Sequence, residues 1–172
     1  MTWTVPEAVR IDEPYVADER TMLEGWLDCH RTTLWFKCAG LSGAQLAQQA
    51  VPPANLSLLG LMRHMAEVER SWFRCRVGGQ QLTPLYFPED GNRDACFEEA
   101  DPIHAERDFA QLRAEWEAAR QVVRGVPLDR TFVVRFGEVS LRWVYIHMIE
   151  EYARHNGHAD LLRQRIDGRT GV

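Results

Sequence analysis

The densest group of chemistry-bearing side chains lies near the C-terminus. The run Tyr145-Ile-His-Met-Ile-Glu-Glu-Tyr-Ala-Arg-His-Asn-Gly-His brings His147, Glu151, His155 and His158 into one short segment. Glu151 and His155 stand at i and i+4, so on a helix they share a face. At about 100° per residue, Val144, Tyr145, Met148, Tyr152, Ala159, Leu162 and Ile166 form one apolar arc. His155 falls inside that arc and Glu151 at its edge, with His147 and His158 flanking the carboxylate. A carboxylate turned toward an apolar interior is costly unless something pairs with it. A divalent cation is one such partner. An intrahelical Glu151–His155 hydrogen bond is another, and a water-facing polar seam would need neither.

A metal centre needs a third ligand. His64 lies beside an apolar stripe, next to Leu61 and Val68 in projection; a lone histidine there is also an ordinary core-edge residue. His30, beside Trp26 and Leu27, and His104, beside Asp101, are the competitors. Three protein ligands with open positions describe a catalytic rather than a structural site. Two histidines and a carboxylate also make the facial triad of non-haem iron enzymes. A fourth protein ligand, His147 or His158, would close the site and favour a non-enzymatic, metal-stabilised binding or stress-response protein. The four cysteines, Cys29, Cys38, Cys75 and Cys96, form no C-x-x-C pair. They read as ordinary reduced thiols, not nucleophiles, so no side-chain nucleophile is expected. There is no Gly-rich phosphate loop, no G-x-S-x-G and no H-E-x-x-H, which argues against nucleotide-binding, serine-hydrolase and zincin chemistry.

The elements that must position these residues are mostly helical. Asp18 caps a helix through Cys38 that Gly40 stops, and a short turn follows from Ser42 to Gln49. Ser57 caps a second helix over Leu58, Leu61, Met62, Met65, Trp72 and Phe73, a pattern interrupted at Glu69 and ended by Gly78 and Gly79. The segment Gln80–Ala100 is rich in turn-forming residues and long for a structureless loop, which usually means that it covers something functional. Asp101 and Pro102 open a third helix through Val123. Thr131–Val139 is β-branched and aromatic and fits a brief extended stretch. Ser140 caps a fourth helix, Leu141 to about Ile166, that Gly168 stops. Trp26, Trp35, Trp72, Trp116 and Trp143 sit at helical spacing and read as mostly core. The fold expected is an all-α four-helix bundle over residues 15–172 with a long loop between helices two and three, preceded by an irregular arm over residues 1–14.

The chain has 172 residues, 45% hydrophobic and 26% charged, enough for one domain with a sizeable core. Its net charge of −5 argues against a nucleic-acid partner. No apolar run reaches the roughly 18 residues that a membrane span needs, and the first ten residues lack a signal-peptide pattern, so a cytoplasmic location is expected. Six tryptophans are many for the interior of one small bundle, which suggests a homodimer.

The stretches Leu-Leu-Gly-Leu-Met-Arg-His64-Met-Ala-Glu-Val-Glu-Arg-Ser-Trp-Phe and Met-Ile-Glu-Glu151-Tyr-Ala-Arg-His155-Asn-Gly-His resemble the DinB/YfiT-like metalloenzyme superfamily, in its actinobacterial mycothiol-dependent branch. The resemblance covers about residues 15–171. It implies a four-helix bundle, frequent pairing into dimers, and a metal site with one histidine from helix two and two ligands, i and i+4, from the last helix. Carried onto this chain these are His64, Glu151 and His155. Many members have histidine at the middle position; the mycothiol-dependent maleylpyruvate isomerase has glutamate there, as here. That isomerase continues into a further domain, so the resemblance points to the single-domain thiol S-transferases. It implies a divalent metal, with zinc expected and nickel, manganese or iron as alternatives, and two small-molecule partners: a low-molecular-weight thiol such as mycothiol, and an electrophile.

Overall fold

The structure, a computed structural model, describes residues 2–88, 91–92 and 94–170. The ends of the arm and of the expected domain, Met1, Gly171 and Val172, lie outside the described residues, as do positions 89, 90 and 93 of the Gln80–Ala100 segment.

The helix boundaries follow local capping chemistry. Asp18 accepts from Thr21 N at 3.1 Å and starts α1 (Glu19–Cys38). Ser42 and Gln45 form a capping box around the short α2 (Gly43–Leu46). Ser57 accepts from Gly60 N at 3.0 Å at the start of α3 (Leu58–Glu69). After the short α4 (Ala95–Glu98), Asp101 caps a 3-10 turn, Pro102–His104, that leads into α5 (Ala105–Val123). Ser140 accepts from Trp143 N and starts α6 (Leu141–Asp167). Gly168 ends it at φ +78°, the left-handed conformation that lets its N–H turn back to Gln164 O.

Three features differ from the expected all-α pattern. Residues 131–140 form a two-stranded antiparallel hairpin, β1 (Thr131–Val134) and β2 (Gly137–Ser140), with Val134 paired to Gly137 and only Arg135 and Phe136 at the turn. The Gln80–Ala100 segment is not structureless, because α4 lies within it. The second long helix is not α-helical throughout: beyond Glu69 it widens to a π-helix, Arg70–Val77, closed by Gly78 N bonding to Phe73 O at 2.8 Å. Trp72 meets Trp143 and His147 of α6, while Phe73 meets Tyr145.

Helix α1 packs on α6, α3 with its π-helical continuation packs on α5, and α3 also meets α6. The apolar arc of α6 is the buried one: Val144, Tyr145, Met148, Tyr152, Ala159 and Leu162 all lie in the core. The core is not purely apolar. Arg31 of α1 forks onto Glu69 of α3, with both N–O distances 2.7 Å. Tyr152 of α6 donates to Glu69 Oε1 at 2.9 Å, and Trp116 Nε1 of α5 donates to the Tyr152 oxygen at 2.7 Å. Glu69, the residue that broke the apolar pattern, is therefore the hub of a network joining all four long helices. It is fully buried, as a carboxylate is only when partnered in this way.

The segment before α1 is tied down. Val5 N bonds to Leu41 O and Gly40 N to Val5 O, and Trp35 Nε1 donates to Pro6 O. No described helix is long and apolar enough to cross a membrane.

Candidate metal centre

His64 sits in the second turn of α3, and Glu151 and His155 one turn apart on α6. The α3–α6 packing brings them together. His155 Nε2 is 3.5 Å and His64 Nε2 4.0 Å from the same oxygen, Glu151 Oε2. The two imidazoles meet edge to face at 4.6 Å between centroids. One ligand atom from each of the three lies within 4.8 Å of the others. Donors bound at about 2.0–2.2 Å to one ion stand roughly 3–3.6 Å apart, so this set would close by up to about 1 Å around a cation. His64 Nε2 is buried without a hydrogen-bond partner among the described residues. An orphaned ring nitrogen costs free energy, and one aimed at a carboxylate and a second imidazole fits a metal ligand.

The rings of His155 and His64 hold the Glu151 carboxyl well below the usual carboxylate range, against the opposing effect of its partial burial. Glu151 is thus present as the anionic donor that a cation needs. Around this trio stand supporting groups. His158 Nδ1 is 3.3 Å from His155 Nδ1, which fixes the ring so that Nε2 faces Glu151. Burial, then the neighbouring His155, keep the His158 ring less basic than an ordinary histidine. His147 Nε2 lies 3.6 Å from the other carboxylate oxygen, Glu151 Oε1, and with Glu150 and Glu151 makes a second, overlapping group of donors.

The remaining histidines are elsewhere. His30 faces Asn156 across the α1–α6 contact and lies against Trp26 of its own helix, where burial lowers its basicity, and His104 ends the 3-10 turn before α5. Neither joins a donor cluster among the described residues. The cysteines do not either. Burial pushes the Cys38 and Cys96 thiols up to about 12, whereas Cys75 is half-exposed. In the native protein at pH 8, iodoacetamide is therefore expected to label Cys75 first and to leave Cys38 and Cys96 protected; peptide mass spectrometry reads this directly. Because both thiols titrate near 8.5 when unfolded, the stability they contribute is fully present below that pH and is lost as pH rises from there toward 12.

The Gln80–Ala100 segment does wall this site. Glu67, one turn after His64, accepts from Leu85 N at 2.6 Å and Tyr86 N at 2.9 Å, which places Phe87 on the cleft. Phe97 of α4 stacks on the His64 ring at 6.0 Å. Gly60, one turn before His64, is what lets α4 approach: a Cβ there would stand 3.1 Å from Phe97 Cα and inside the van der Waals shell of its ring. Gly60→Ala is expected to cost about 1–3 kcal/mol by overpacking, read as a lower denaturant midpoint at unchanged slope.

The cleft holds about 490 Å³ between α3, its π-helical extension, the hairpin and α6. One residue of its wall departs from the expectation that the tryptophans are mostly core: Trp143 is 37% exposed and lines the cleft, whereas Trp72 is buried in the core and presents only one side to the cleft. The spacing carried a signal: Trp143, His147, Glu151 and His155 recur every fourth residue, so they form one stripe along α6.

A model of the mycothiol-S-transferase family matches residues 22–168. The chain belongs to the mycothiol-S-transferase family. The matched span runs from α1 to the end of α6 and includes His64, Glu151 and His155. Membership places the chain among thiol transferases. None of the curated proteins compared matches the chain.

Proposed function

We infer that this protein is a metal-dependent thiol S-transferase, with His64, Glu151 and His155 holding a divalent ion, zinc by expectation, and the four long helices forming the family's bundle. The observation that carries the reading is the convergence of the three donors with His64 Nε2 buried and unpartnered. An ion held there supplies a Lewis-acid position at which a thiol ionises near neutral pH.

The chain's own residues do the rest. His64 and His155 present ring nitrogens and Glu151 adds one negative charge, a donor set that would leave a divalent ion with a net positive charge. His158 and His147 hold the ligands in orientation. Trp72 and Phe87 line the cleft beside the donors. No described cysteine is placed beside the cluster, so the nucleophile is the substrate's own sulfur, for which the family points to mycothiol. The second substrate is an electrophile.

The test is transfer of mycothiol to a bimane. Protein loaded with zinc is expected to exceed the rate of the thiol alone, to lose that excess on chelation and to regain it with zinc, with or without dioxygen. A rate equal to the thiol alone at every metal tried overturns the reading. We also propose a homodimer, supported by the exposure of Tyr15, Val16 and Ile146; sedimentation at tens of micromolar is expected to give twice the monomer mass.

A further inference from the structure

The cleft has an outer end that the donor cluster does not use. From Glu151 a run of rings leads outward along α6 to the hairpin. The His147 ring stacks on Trp143 at 4.9 Å and 14°. Trp143 in turn meets Trp72 at 5.3 Å and Phe136, at the hairpin turn, at 5.9 Å. Phe136 is 61% exposed and Trp143 more than a third. Large rings left in water are free to bury apolar surface, and Trp143 and Phe136, tilted 56° to each other, form an apolar corner on the cleft wall that takes the face of a flat group on one ring and its edge on the other.

The same end is positively charged. Arg135, beside Phe136 at the turn, lines the cleft, is exposed and makes no ion pair with another described residue. The Arg76 guanidinium lies over the Trp72 ring at 4.5 Å. The carboxylates on the lining are engaged elsewhere: Glu67 clasps the backbone of Leu85 and Tyr86, and Glu151 belongs to the histidine cluster. The outer end therefore offers aromatic faces with a guanidinium available for an anion.

We propose that the electrophile is a planar, apolar molecule bearing an anionic group, seated in the corner between Trp143 and Phe136 with the anion on Arg135. This names the acceptor within the transferase reading and rests on that reading for the reaction, but its binding is measurable without turnover. The hairpin is then a specificity element, and the two-residue turn sets where the anion sits. For the probe 4-chloro-3,5-dinitrobenzoate, the thiol sulfur forms a bond to the ring carbon, the carbon–chlorine bond breaks, chloride leaves with its electron pair and the thiol proton goes to solvent.

The test is calorimetry with unreactive 3,5-dinitrobenzoate and its methyl ester, on zinc-loaded and metal-free protein. The acid is expected to bind about tenfold more tightly than the ester. Arg135→Gln, at an exposed turn where folding is not at stake, should remove that preference and leave the ester unchanged. Trp143→Leu should weaken both, with zinc content unaltered in each variant. No binding of the acid, equal binding of acid and ester, or a preference that survives Arg135→Gln overturns the proposal. Preferential binding of the acid with no transfer from mycothiol to either the chloro-dinitrobenzoate or a bimane would support the ligand class and overturn the transferase reading. Bimane transfer with no such preference would do the reverse.

Discussion

Glu151→Ala is expected to abolish metal retention and to reduce thiol transfer to the rate of the free thiol. Glu151 Oε2 is the atom toward which both His64 and His155 point. Its removal takes away the only negative charge among the three donors and leaves two imidazoles, a poorer site for any divalent ion. His64→Ala and His155→Ala should each weaken metal binding by about a hundredfold or more, beyond the 10–100-fold typical of residues that only orient a ligand. His158→Ala belongs to that milder class, since it meets His155 and not the carboxylate. The sign of the stability effect separates ligands from ordinary polar contacts. A ligand's loss should leave the metal-free protein nearly as stable as before, and should remove the rise in melting temperature expected when zinc is added to the parent. Metal content by mass spectrometry of protein purified without added metal is the direct readout. If His155→Ala and Glu151→Ala keep the parent's metal content, the three residues are not the ligands.

The parts of this molecule that could be seen in the sequence are those governed by neighbours along the chain. Asp18, Ser57 and Ser140 mark helix starts because a cap bonds to a backbone N–H two or three residues on. The Glu151–His155 spacing was visible for the same reason. His64 was not separable from His30 by its own surroundings, because each is a histidine beside an apolar stripe; only the packing of α3 on α6 distinguishes them. The π-helical turn at Arg70–Val77 was hidden, since neither Gly nor Pro interrupts the helical pattern there before Gly78. The cleft's aromatic wall was obscured by a general rule that is right for Trp116 and wrong for Trp143. Glu69 stood out as a break in the apolar pattern, but its partners Arg31, Tyr152 and Trp116 come from three other helices.

That network is where the largest loss of stability is expected. Glu69→Ala should cost about 3–5 kcal/mol, the range for removing one partner of a buried ion pair. It leaves the Arg31 guanidinium buried, with Asp28 at 2.9 Å as its one remaining ion-pair partner among the described residues, and takes the acceptor from the Tyr152 hydroxyl. Burial would push the Arg31 charge off, and Glu69 is the main group that opposes this in the folded protein. Arg31→Ala should cost a similar amount, because the Glu69 carboxylate would then keep only Tyr152. The two losses are not additive. Replacing both, as in Arg31→Met with Glu69→Leu, removes the charges together and should cost far less than the sum of the single changes. A double-mutant cycle by denaturant unfolding measures the difference, and single changes that each cost under 1 kcal/mol would show that the pair is not buried as described. The consequence reaches the candidate metal centre through one residue: Tyr152 follows Glu151 on α6, and its hydroxyl is held by Glu69 and Trp116. Loss of that anchor frees the turn of α6 that presents Glu151 to His64, so the folded fraction of Glu69→Ala should also bind zinc more weakly than the parent.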